Sequence, residues 1–71
     1  AEPRELVLDG IELLAEIYRE PLRMHFLFGL EAHEVARELR QNLHTIKSRL
    51  ARGRRELRRR LEPRLTKAGY L

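Results

Sequence analysis

Apolar residues recur along this chain at steps of three and four, the spacing that gathers them on one side of an α-helix. The repeat is clearest in the second half. Leu43, Ile46, Leu50, Leu57 and Leu61 form one narrow stripe, and His44, Lys47, Ser48, Ala51, Arg52 and Arg55 fall on the far side. Ahead of this long helix the spacing predicts a short one, about Ala32 to Leu39, with Ala32, Val35, Ala36 and Leu39 on one face. Ala36 is small enough to let the next helix cross closely, so Leu39, Ile46 and Leu50 are expected to meet at the crossing. Arg40-Gln41-Asn42 separates the two helices as a tight turn. Asn42 suits the N-cap of the long helix, its side-chain oxygen accepting from a free backbone N–H of the first turn. The long helix is expected to end near Glu62-Pro63, leaving residues 63–71, whose periodicity is weak, to fray.

The first half is less regular. Glu2-Pro3-Arg4-Glu5 suits a helix start, since proline is tolerated in the first turn and acids favour the positive end of the helix dipole. Leu6, Val7, Ile11, Leu14, Ile17 and Tyr18 then keep helical spacing, interrupted by Asp9-Gly10, which reads as a kink or as Asp9 capping a later start. Pro21 is expected to close this segment and open a second helix, in which Leu22, Phe26, Leu27 and Leu30 turn inward and Gly29 fits the C-terminal end. Phe26 and Phe28 point about 200° apart on a helix, so one of them is expected at the surface, where it would suit a protein-binding patch. No strand pattern or internal repeat is visible. The expectation is an all-α fold: one small four-helix domain over residues 1–71, with a C-terminal helix-turn-helix at about 32–62.

Charge changes the picture more than size does. Residues 1–39 carry four Lys/Arg against nine Asp/Glu, a net of −5, whereas residues 40–71 carry eleven against two, a net of +9. One end seeks a polyanion and the other avoids it. Between residues 43 and 61, eight Lys/Arg face one acid, Glu56. Like charges such as Arg54 and Arg58 destabilise a free helix by a few tenths of a kcal/mol per pair, a cost that a bound anion removes. The DNA major groove accepts a helix of this width and offers both phosphates and base edges. A helix that buries one stripe and presents basic, polar and small residues opposite is the recognition element of a helix-turn-helix.

The remaining chemistry is sparse. With no cysteine among 71 residues, neither a disulfide nor a thiolate zinc site is available. His25, His33 and His44 are too scattered to suggest a metal site; His25 is expected on a helix surface, and His44, in the first turn of the long helix, is expected to meet a phosphate or base edge. Ser48 stands beside Lys47 and Arg49 but has no base, orienting acid or oxyanion loop, and no glycine-rich phosphate loop is present. An enzyme is not expected, nor a cofactor. No apolar run approaches a membrane span and no signal-peptide pattern opens the chain, so a soluble, cytoplasmic protein is expected. A first residue of alanine, not methionine, fits a piece of a longer product.

The segment Pro21–Leu57 resembles region 4 of bacterial sigma factors, most closely the extracytoplasmic-function group. Gly29-Leu30 stands at that family's glycine-leucine step, and Glu34-Val35-Ala36 at its Glu-Ile-Ala. Thr45-Ile46-Lys47-Ser48-Arg49-Leu50 stands at its Thr-Val-Lys-Ser-Arg-Leu, followed by Arg52 and Arg54 at its Arg-x-Arg. Ile11–Tyr18 suits the helix that precedes these. The resemblance implies a domain that reads the upstream (−35) element of double-stranded promoter DNA and docks on the β flap of RNA polymerase core. It also implies an anti-sigma factor as a masking partner. Carried over by position, Lys47, Ser48, Ala51 and Arg52 face bases, and Thr45, Arg49 and Arg54 contact phosphates; the helix pattern adds His44 and Arg55 to the phosphate set. The promoter-melting region of a sigma factor is absent from this stretch, so it is not expected to start transcription alone, and a monomer is expected.

The chain departs from that family at several positions. Arg40-Gln41 replaces glycine and an apolar residue in the turn, and a left-handed Arg40 would cost about 1–2 kcal/mol. Glu31-Ala32 replaces Ser/Thr-Tyr, His44 replaces a frequent glycine, and Gly53 replaces alanine at about 1 kcal/mol. Two other readings stay open. A LuxR-type output domain shares the Glu-Val-Ala and Thr-Ile-Lys words, though its last helix usually has an apolar dimerisation face and Arg58-Arg59-Arg60 is strongly basic. A basic helical module that binds an acidic protein is the third.

Overall fold

The computed structural model describes residues 3–67 and 69, and in them four helices follow one another: α1 (Pro3–Glu12), α2 (Glu16–Phe28), α3 (Ala32–Leu39) and α4 (Leu43–Lys67). No strand occurs among the described residues, so the all-α expectation holds. The helix α4 packs against each of the other three. Ile46 and Leu50 of α4 close on Val35 and Ala36 of α3, Leu22 of α2, Ile11 of α1 and Leu14 of the connection between α1 and α2. Leu39 and Leu57 are half-buried against this cluster.

The helix-turn-helix follows the sequence closely. Asn42 Oδ1 accepts the backbone N–H of His44 at 2.7 Å and of Thr45 at 3.4 Å, which caps α4. Arg40 takes the left-handed conformation, φ 54° and ψ 47°, and the Gln41 N–H closes back on the Ala36 carbonyl at 2.9 Å. The Glu31 carboxylate stands in for the missing hydroxyl in a capping box, facing the Glu34 backbone N–H while Glu34 Oε1 accepts the Glu31 N–H at 2.9 Å.

The first half corrects several expectations. The break lies at residues 13–15, not at Asp9-Gly10 or Pro21. Leu13 and Leu14 donate to the Gly10 and Ile11 carbonyls at 3.1 Å, and Ala15 opens α2 with an extended ψ of 148°. The apolar spacing hid this break because Leu14 fills the core from the turn itself, keeping the periodicity intact. Pro21 is inside α2 and fully buried; burial of its ring offsets the lost bond to Ile17, whose carbonyl lies at a half-exposed residue. Pro63 likewise stands inside α4, which continues to Lys67, four residues beyond the expected end. The expected start at Glu2 and fraying at residues 68, 70 and 71 lie outside the described residues.

Two leucines assigned inward face solvent instead: Leu43 is 40% exposed at the very start of α4, before the helix reaches the core, and Leu27 is 39% exposed near the end of α2. Phe26 is half-buried and Phe28 is 70% exposed, in line with the opposed directions of the two rings. Gly10 makes no kink. It is buried, and a Cβ there would stand 2.7 Å from Leu57 Cδ1, so the glycine lets α1 lie close on α4. Gly53 does the same for α2, where a Cβ would stand 2.7 Å from Leu22 Cδ1 and 3.2 Å from Tyr18 Cβ.

Candidate nucleic-acid interface

Burial of Ile46, Leu50, Gly53 and Leu61 fixes the rotation of α4 about its axis. Lys47, Ser48, Ala51, Arg52 and Arg55 are consequently exposed, together with His44 in the first turn. Thr45 and Arg49, nearer the buried stripe, are half-buried. The first turn of α4 contains no acid, so nothing there cancels the positive end of the helix dipole. Lys47, Arg52 and Arg55 have no ion-pair partner among the described residues. Their charge is open to a ligand.

The polar and basic residues of α4 lie on two sides. His44, Thr45, Ser48, Arg49 and Arg52 share a shallow cleft of about 260 Å³ whose other wall is Ile17 and Tyr18 of α2. Lys47 and Arg54 lie two helical turns apart on the opposite side, with Ala51 between them. The wall contributed by α2 has no signal in the sequence, because Ile17 and Tyr18 read there only as part of an apolar repeat.

Two contacts escaped the sequence altogether. Arg49 Nη1 donates to Oε1 of Gln41 in the turn, and Arg54 Nη2 lies 3.4 Å from Nε2 of His25. His25 is therefore not a surface histidine. It is half-buried near the end of α2, with Nδ1 2.7 Å from the Leu30 carbonyl oxygen. Away from α4, the donor atoms of Glu31, His33 and Glu34 approach within 4.8 Å of one another. They sit in the capping network of α3: Glu34 receives the Glu31 N–H, and His33 Nδ1 is 3.6 Å from the Glu31 carboxylate.

The helical order, the capped turn and the solvent-facing basic side of α4 coincide with a family match. The family model for sigma-70, region 4, matches residues 4–57. The chain belongs to that family. The match takes in α1 and most of α4, more of the chain than the Pro21–Leu57 resemblance, and it decides between the two helix-turn-helix families. No curated protein and no solved structure matches the chain. As a sigma region 4 domain, the chain is a DNA-binding regulatory domain of transcription initiation and not a member of an enzyme family, and its general partners are promoter DNA and RNA polymerase. No helix among the described residues is long and apolar enough to cross a membrane.

Proposed function

We propose that this region 4 domain reads the −35 promoter element for a sigma factor of the extracytoplasmic-function type. The observation that carries the reading is the rotation of α4: its buried stripe turns Lys47, Ser48, Ala51 and Arg52 outward together, near the capped N-terminal half that enters the major groove in this motif. These four reach base edges. His44, Thr45, Arg49, Arg54 and Arg55 surround them and contact phosphates. Residues 1–71 act as one unit, with the helix-turn-helix at about 32–62, and the domain binds as a monomer. The β flap of RNA polymerase core and an anti-sigma factor are its protein partners, in the cytoplasm.

Equilibrium titration of a duplex carrying a −35 element, at several salt concentrations, tests this. One helix inserted by a monomer neutralises about four to six phosphates, giving a log–log slope of about −4 to −5. A nearly flat dependence on salt counts against DNA and favours an acidic protein as the ligand of the basic helix.

A further inference from the structure

Arg49 and Arg54 stand on opposite flanks of the exposed face of α4, and each is held by a neutral acceptor from another element. Arg49 donates to the side-chain carbonyl of Gln41, in the turn between α3 and α4. Arg54 Nη2 lies 3.4 Å from Nε2 of His25 in α2. One tautomer of His25 suits both of its partners. The Leu30 carbonyl, 2.7 Å from Nδ1, only accepts, and a guanidinium only donates. A neutral ring with the proton on Nδ1 satisfies both.

Three other arginines are held by acids. Arg23 pairs with Glu12 at 2.6 Å, Arg58 with Glu62 at 2.9 Å and Arg59 with Glu56 at 3.2 Å. A carboxylate fixes a guanidinium and cancels its charge. An amide oxygen or imidazole nitrogen fixes it and leaves the whole charge for an incoming anion. Holding a long side chain in place beforehand removes part of the ordering cost of association, and the planar guanidinium gains most because its donors must align with phosphate oxygens. Resting on the DNA reading of α4, we propose that Gln41 and His25 are positioning residues that hold Arg49 and Arg54 ready for backbone phosphates without neutralising them.

The Gln41 side gives the cleaner test, because Gln41 is exposed and outside the core. The full chain is titrated with the −35 duplex as wild type, Gln41→Ala, Gln41→Glu, Arg49→Ala and the double variant Gln41→Ala/Arg49→Ala. Gln41→Ala is expected to bind about two- to tenfold more weakly, the scale of one released long side chain, and to cost nothing further in the Arg49→Ala background. Gln41→Glu keeps the tether but cancels the charge, so its salt slope should shrink by about 0.9, one phosphate contact. A loss of stability alone would leave that slope where it was. On the other flank, His25→Gln is read only through its cycle with Arg54→Ala, since His25 also holds Leu30; the two effects should again fail to add. Unchanged binding by Gln41→Ala, an undiminished loss in the Arg49→Ala background, or an unaltered slope for Gln41→Glu overturns the proposal while the DNA reading stands. A wild-type chain that binds no duplex overturns both, and it is recognised before any variant is compared.

Discussion

Gly53 shows how far one residue's meaning depends on its neighbours. By helix propensity alone it is a loss of about 1 kcal/mol against alanine. In the folded chain it is where α2 and α4 touch, with no room for a methyl group. Overpacking of this kind costs about 1–3 kcal/mol, so Gly53→Ala should lower the melting temperature despite the better propensity. Gly10→Ala should be milder. Its nearest neighbours are the mobile ends of Leu57 and Leu61, whereas Gly53 also meets Tyr18 Cβ at 3.2 Å, which cannot swing aside. Thermal unfolding of the two variants compares them; greater damage from Gly10→Ala would mean that Leu22 yields more easily than Leu57. Arg40 is the opposite case. Its left-handed backbone was foreshadowed only by the family resemblance, which puts a glycine where this chain has arginine. The tethers at Gln41 and His25 were not legible, since a side-chain contact spanning 8 or 29 positions leaves no periodic trace.

At the scale of elements, α3, the turn and α4 could be read from cap, spacing and charge because each signal is local and all agree. The α1–α2 boundary could not. Leu14 serves the core from a turn while holding a helical register, so periodicity runs straight through the break. Pro21 misled for a related reason: the rule that proline ends a helix is a local preference, and packing overrides it where the ring is buried. Pro63 is exposed, and nothing in the structure explains its place inside α4. The crossing of α3 and α4 concentrates the stability of so small a domain. Ile46 is fully buried there, and Ile46→Ala should cost about 2–4 kcal/mol, a large share of the roughly 5–15 kcal/mol that holds a domain together. Denaturant unfolding measures it; an unchanged midpoint would mean that the apolar stripe of α4 does not face the core.

The whole molecule is an elongated body of 38 × 19 × 17 Å with its charge divided between elements. Acids predominate on α1 to α3 and basic residues on α4, so the domain approaches a polyanion in a preferred orientation, basic helix first. Which face of that helix turns to solvent was legible from the sequence, and the structure places Lys47, Ser48, Ala51 and Arg52 outward as expected. What each residue does there is the central claim, and it separates reading from attachment. Arg52 is long enough to reach guanine O6 and N7 together, worth about 1–3 kcal/mol of discrimination, while Arg54, nearer the flank and tied to His25, suits a phosphate. Selection of bound sequences from a pool of random duplexes, run with wild type, Arg52→Ala and Arg54→Ala, tests this most directly. The account predicts a −35-like motif for the wild type, relaxed preference at one or two base pairs for Arg52→Ala, and the same motif bound more weakly throughout for Arg54→Ala. A motif altered by Arg54→Ala and left intact by Arg52→Ala would contradict it.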